Sequence, residues 1–278
     1  MPEGDTIFRA AATLSARLVG REIVRWSSTV PSLLRSHMLG RTIVRVDAVG
    51  KNLFIVFDDG RALHTHMRMH GSWHIYPQTV SPRNFPGTAK VIIEVDGCVA
   101  VCFSAPVVRM LSGPEVQREV DSLGPDVLAP SFEVGEAVRR VLAAGERPIG
   151  DTIMDQSIVA GIGNVYKSEV LFITKIDPFE ESAAVGSEGA RKLMNEARRL
   201  MLRNVGPGSG RRITRLGPGG PVWVYKRSGE ACLKCGERIR MRRQGIGKRS
   251  TYYCPVCQNV KTNEPSEKEV GEKEERKT

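Results

Sequence analysis

The fold class legible in the sequence is α+β, and three observations point to it. One helical period stands at the N-terminus, short β-branched runs broken by Asp-Gly turns follow, and the second half is helical and closed by paired cysteines. Over residues 7–18, Ile7, Ala11, Leu14 and Leu18 recur at helical spacing, with Asp5 or Thr6 available as N-cap. From 21 to 104 the texture changes to strand-like segments, among them 41–46, 52–57, 90–95 and 100–103. Asp59-Gly60 and Asp96-Gly97 suit tight hairpins, because glycine accepts positive φ. This half therefore reads as one helix plus an antiparallel β-sandwich.

Prolines 125 and 130 mark a boundary. Beyond it the period is helical at Val134, Val138, Val141 and Leu142, again from Val165 to Phe172, and again at Leu193, Met194, Ala197, Leu200 and Met201. Gly206 to Pro221 is rich in glycine and proline and is expected to be a mobile loop. The expected units are a helix-plus-sandwich domain over 1–125, a helical domain over 130–225, a cysteine module over 226–258 and a disordered charged tail over 259–278. At 278 residues the chain has room for two separate cores.

The net charge is +10, and its placement is informative. Residues 203–249 hold 13 Lys and Arg against 2 Asp and Glu, whereas residues 1–202 hold 23 of each. A surplus so concentrated reads as a phosphate-binding footprint, with a merely solvated basic face as the alternative. No apolar run approaches the roughly 20 residues that span a bilayer, so no membrane partner is expected. The start MPEGDTIFRA lacks an apolar signal segment, which points to the cytoplasm and the nucleoid. Disulfides are not expected there, and Cys98 and Cys102, in an apolar stretch, read as buried thiols.

The other four cysteines carry a strong signal. Cys232-x2-Cys235 and Cys254-x2-Cys257, separated by 18 residues, can give four thiolates to one tetrahedral Zn²⁺. Four thiolates close the coordination sphere, so this zinc is structural. Between the pairs, basic residues alternate with Ile and Met before two tyrosines. Such a hairpin can pack one face on a small core and turn the other to phosphates.

Pro2 is the second residue. Once the initiator methionine is removed, it carries a secondary amine of pKa about 8, roughly a tenth unprotonated at pH 7. Such an amine can form an iminium at a sugar C1′ carbon, and the neighbouring Glu3 can move protons. Many chains begin Met-Pro, so these two residues alone say little.

Met-Pro-Glu-Gly at the start, Gly50-Lys51-Asn52-Leu53, Gly161-Ile162-Gly163-Asn164-Val165-Tyr166, Val224-Tyr225-x-Arg227 and a finger ending Arg249-Ser250-Thr251-Tyr252-Tyr253-Cys254 occur here in that order. With these the chain resembles the formamidopyrimidine-DNA glycosylase/endonuclease VIII family from its start to about residue 258, closer to the endonuclease VIII branch. The resemblance implies a helix–two-turn–helix in the helical domain, one structural zinc, damaged DNA as partner and a monomer. It implies a bifunctional glycosylase and AP lyase of base excision repair that flips the nucleotide out of the duplex. Pro2 would be the nucleophile, Glu3 the proton carrier, Lys51 a phosphate contact that assists proton transfer, and Arg249 the finger arginine on the phosphates flanking the lesion. Asn164 would grip phosphate at a helix N-terminus. Met69, flanked by Arg68 and His70, would wedge into the base stack.

Taken without the resemblance, Lys51 is an ordinary strand-edge lysine, Asn164 a helix cap and Met69 a core methionine. Two departures from the family shape the expected specificity. Asp5 and Thr6 replace a second Pro-Glu pair, and Phe103-Ser104-Ala105-Pro106-Val107 lacks the Arg and aromatic loop of the oxidised-purine branch. The missing loop, with the Pro-Glu-Gly start, makes oxidised pyrimidines the favoured lesions. A catalytically weak lesion or abasic-site binder is the alternative reading, and a zinc-ribbon RNA-binding protein a more distant one.

Overall fold

The computed structural model describes residues 2–79, 87–206 and 212–260. Helix α1 (Gly4–Leu18) buries Ile7, Ala11, Leu14 and Leu18, the stripe its spacing predicts. Its start differs from expectation. Glu3 occupies the N-cap position, while Asp5 lies in the first turn and is fully buried. The side chains of Asp5 and Thr6 turn instead to Arg212, which bonds both.

Two antiparallel four-stranded sheets follow. One orders β1 (Ile23–Ser28), β6 (Ala89–Val95), β7 (Cys98–Phe103) and β5 (Ser72–Pro77) as β1-β6-β7-β5. The other orders β2 (Ile43–Val49), β3 (Asn52–Phe57), β4 (Ala62–His66) and β8 (Val107–Leu111) as β2-β3-β4-β8. Ile23, Val91, Ile93 and Cys102 of the first sheet meet Ile43, Leu53, Phe57 and Leu63 of the second, with α1 sealing the same core. The sandwich is thus present. Gly60 at φ +80° and Gly97 at φ +82° make the predicted turns of β3–β4 and β6–β7. Every residue of β3 after Asn52 is buried, because Phe54 and Val56 on its outer side pack under α2 (Gly113–Asp121) through Val116 and Val120.

Strand ends moved for local reasons. The segment expected at 41–46 forms its strand at Ile43–Val49, because Arg41 still donates to the Met38 carbonyl in a turn and Val49 pairs with Asn52. The segment expected at 100–103 begins at Cys98, which pairs with Val95 across the Asp-Gly turn.

The helical half comprises α3 (Val134–Leu142), α4 (Ile149–Thr152), α5 (Asn164–Thr174) and α6 (Gly186–Arg203). Val138, Val141, Leu193, Met194, Ala197, Leu200 and Met201 share one core. Helix α5 is buried from Asn164 to Phe172, its polar side chains included. The finger is a hairpin of β9 (Arg240–Gln244) and β10 (Arg249–Tyr253), packed on Phe172 through Val224, Ile239 and Cys254. Ile239 turns inward, whereas Met241 and Ile246 are exposed, so the expected inward alternation is only partial.

The loop expected to be mobile over 206–221 needs correction where it is described. Residues 207–211 lie outside the described residues, but 212–221 are anchored. The Ile213 amide donates to Asn204 Oδ1 at 2.8 Å, and the Thr214 amide donates to the Pro221 carbonyl at 2.8 Å. Glycines do not prevent anchoring when neighbouring polar groups find buried partners. Most of the tail expected to be disordered, 261–278, also lies outside the described residues, while Val260 still donates to the Pro255 carbonyl of the finger. Among the described residues, no helix is long and apolar enough to cross a membrane.

Candidate active site and metal centre

The N-terminus is held against the helical half by an acid on a helix end. The Glu3 carboxylate accepts the amides of Val165 at 2.7 Å, Gly163 at 3.2 Å and Tyr166 at 3.3 Å. These are among the N–H groups that a helix leaves unsatisfied in its first turn, where the dipole also favours negative charge. The backbone closes in too, with the Gly4 amide donating to the Gly161 carbonyl at 3.0 Å. A Cβ at Gly163 would stand 2.3 Å from Glu3 Cδ, so only glycine allows this approach. The Gly-x-Gly turn before Asn164 therefore admits Glu3 itself, and the helix N-terminus read as a phosphate site already holds that carboxylate. Asn164 is buried, and its amide donates to the Ser250 carbonyl of the finger at 2.8 Å.

Lys51 arrives from the opposite side, on the β2–β3 turn. Gly50 turns at φ +58°, and its amide donates to Asp126 Oδ2 at 2.8 Å, joining the sandwich to the inter-domain segment. Burial lowers the Lys51 pKa to about 8; Glu3 opposes that shift, and Arg249 and Arg212 add to it. A phosphate arriving here would meet a cation whose charged form it stabilises.

Met69 and Arg68 come from the β4–β5 connection. Met69 is 56% exposed and Arg68 sits at φ +44°, whereas Met67 beside them is part of the core. The connection rests on the loop after β7, since a Cβ at Gly71 would be 3.0 Å from Ala105 Cα. His66 Nδ1 accepts the Arg68 amide at 3.1 Å, and burial lowers its pKa.

These groups converge. Pro2, Glu3, Lys51, Arg68, Met69, Asn164 and Arg249 line one cleft of about 420 Å³, with His66, Met154, Gln156 and Gly163 completing it. Of the predicted non-metal site residues only His70 is outside that lining; it is exposed next to Met69.

Other polar groups near the cleft were not among the predicted site residues. Arg212 Nε donates to Asp5 Oδ2 at 2.8 Å, and its guanidinium lies 4.9 Å from the Tyr166 ring centroid. Asp5 is therefore committed to an ion pair outside the cleft. Buried Glu169 accepts the amides of Trp223 at 2.7 Å, Val224 at 2.9 Å and Tyr225 at 2.8 Å, which shapes the segment entering the finger. Arg227 has a similar scaffold role, donating to the carbonyls of Trp223 and Ala231.

The finger cysteines form the metal centre. The sulfurs of Cys232, Cys235, Cys254 and Cys257 all lie within 4.8 Å of one another, with Cys232–Cys257 at 3.9 Å and Cys235–Cys254 at 3.5 Å. Zn–S bonds of about 2.3 Å in a tetrahedron put sulfurs about 3.8 Å apart. Backbone amides of Lys234 and Cys257 point at Cys232 and Cys254 sulfurs, as suits thiolates. The site fits one structural zinc. Among the described residues no other His, Cys, Asp or Glu group of three or more could hold a metal; His64, the one buried histidine of its segment, is bonded to Asn52 and Arg109.

Comparison with known proteins agrees with this fold and with the cysteine finger. The Formamidopyrimidine-DNA glycosylase N-terminal domain matches residues 1–107, its H2TH domain 123–214, and the zinc finger found in FPG and IleRS 229–260. The chain is 36% identical over 261 residues to "Probable endonuclease 8 2" of Streptomyces coelicolor, covering 93% of this chain and 94% of that one. It is 32% identical to "DNA-(apurinic or apyrimidinic site) lyase Nei2" of Mycolicibacterium smegmatis, covering 94% and 100%. In fold it resembles the Lactococcus lactis formamidopyrimidine-DNA glycosylase bound non-covalently to DNA containing an AP site. The TM-score is 0.77 at 21% identity, over 92% of this chain and 99% of that one. The sandwich, helical half and cysteine finger, with these matches along nearly the whole chain, place it in the formamidopyrimidine-DNA glycosylase/endonuclease VIII family of DNA glycosylases with AP lyase activity.

Proposed function

We propose that the chain removes oxidised bases from DNA and then cuts the strand, with Pro2 as nucleophile. The observation that carries this is the shared cleft, in which the N-terminal Pro2 meets Glu3, Lys51 and Arg249 from three separate parts of the chain. With methionine removed, the Pro2 nitrogen attacks C1′ of an extruded nucleotide and the bond from C1′ to the base breaks. The base leaves with a proton supplied through Glu3, and the sugar ring opens to an iminium on Pro2. Loss of a C2′ proton then expels the 3′ phosphate, and a second elimination expels the 5′ phosphate. Lys51 and Arg249 hold the flanking phosphates; the planar fork of arginine suits bidentate contact. Asn164 serves this grip by fixing the finger, and Met69, with Arg68 and His70 beside it, fills the gap left by the nucleotide. Residues 1–125 act as the catalytic unit, 130–225 and the finger as the DNA-holding units.

Action as a monomer on nucleoid DNA is what the family resemblance implies. The loop Ser104-Ala105-Pro106 is short and lacks an arginine, which supports oxidised pyrimidines over 8-oxoguanine. Borohydride is the test. It should reduce the iminium to a stable protein–DNA crosslink on thymine-glycol duplex, faster than on 8-oxoguanine paired with cytosine. Replacing Pro2, or retaining methionine, should abolish the crosslink. Tight abasic-site binding by wild-type protein with neither crosslink nor nick would make it a binder.

A further inference from the structure

Lys167 sits fully buried in the first turn of α5, and nothing in the proposed chemistry uses it. Taking an ammonium out of water is costly, so the fold must offset it. Its Nζ donates to Thr251 Oγ1 at 2.7 Å, and Thr251, also fully buried, donates on to Gln244 Oε1 at 2.9 Å. Gln244 Nε2 then donates to the Pro178 carbonyl at 2.8 Å. Burial lowers its pKa to about 8; Asp151 and Glu3 oppose that shift, and Arg249 adds to it.

Two further bonds flank this one in register. Asn164 Nδ2 donates to the Ser250 carbonyl at 2.8 Å, and the Tyr252 amide donates to Ser168 Oγ at 3.4 Å. Asn164, Lys167 and Ser168 stand at i, i+3 and i+4, one face of the helix. They meet Ser250, Thr251 and Tyr252 in order, directly after Arg249. The amides at the N-terminal end of the same helix hold Glu3. One rigid helix therefore carries the acid at its tip and the finger arginine's strand along its side.

We propose that Lys167 is a positioning residue, which through Thr251 sets where Arg249 stands against the reacting nucleotide. This rests on the reading of Arg249 as a phosphate contact in the cleft. Lys167 is too deep to touch DNA, so its effect passes through the strand. A displacement of about 1 Å at such a contact can cost on the order of 100-fold in rate.

The experiment uses the zinc-loaded full chain and an abasic-site duplex in single turnover at saturating protein. Lys167→Met and Thr251→Val should each slow cleavage roughly 10- to 100-fold. Zinc content and affinity for an undamaged duplex should stay at wild-type levels. In an Arg249→Ala background, Lys167→Met should cost nothing further, because residues acting through one group are non-additive. Equal slowing by Lys167→Met in both backgrounds, or no slowing in the wild-type background, overturns the proposal. If Lys167→Met does not fold, Thr251→Val alone and with Arg249→Ala carries the same comparison. An Arg249→Ala protein that cuts at the wild-type rate overturns instead the reading of Arg249.

Discussion

Glu3 and Val165 are 162 positions apart in the chain, and the carboxylate of one accepts the amide of the other at 2.7 Å. The residue next to Pro2, the proposed nucleophile, thus also caps the central helix with its carboxylate. Its carboxylate is fixed in place by a dipole and three N–H groups.

That double duty makes a prediction for Glu3. Glu3→Ala should orphan the buried amides of Gly163, Val165 and Tyr166, each worth about 1–3 kcal/mol when unpaired, and lower the unfolding midpoint. Glu3→Gln keeps one acceptor oxygen but turns N–H groups toward those amides, so it should also lose stability. It should stop base removal while leaving some cleavage at preformed abasic sites, where no glycosidic bond remains to break. Thermal melts beside cleavage of both substrates decide this. A Glu3→Ala protein as stable as wild type would remove the capping role.

Metal should be inseparable from the finger's shape. Four sulfurs at tetrahedral spacing predict one zinc per chain, and Cys254→Ser should lose it together with DNA binding. Because β10 carries Arg249 and abuts Cys254, chelation should weaken abasic-duplex binding before the sandwich unfolds. Elemental analysis and binding during chelation check it. Folded, active protein without zinc would be the contrary result.

Acid should destabilise the sandwich through His64. Its ring stacks on Phe54 at 4.8 Å, with Nε2 2.9 Å from Asn52 Oδ1 and Nδ1 3.1 Å from an Arg109 nitrogen. Burial, with Arg109 adding to it, lowers its pKa from 6.5 to about 4. A histidine depressed by folding contributes stability that is complete above its unfolded pKa and is lost as pH falls toward its folded one. About 2 kcal/mol should therefore disappear between pH 6.5 and pH 4, after allowance for solvent screening. Denaturant titrations across that range should show this slope in wild type and a flatter one in His64→Gln. Equal slopes would mean that His64 titrates alike in both states.

Much of this protein is written locally. Cys232, Cys235, Cys254 and Cys257 announce a metal by spacing alone, because one ion fixes both pairs at once. Gly60 and Gly97 announce their hairpins, because the turn needs positive φ at that residue. The stripe Ile7, Ala11, Leu14 and Leu18 announces a helix with one buried side. Pro2 and Glu3 offered a chemistry that the family's ordered motifs made specific, whereas Lys51 and Arg249 were legible only through those motifs, since a lone lysine or arginine has many uses. Tertiary structure decided what no local pattern carries. It placed Glu3 on the end of α5, committed Asp5 to Arg212 at a separation of 207 residues, and buried Lys167 against Thr251, 84 residues away. Each of these pairs forms because burial leaves a polar group without water, and the partner that replaces water is whichever group the folded chain brings within reach.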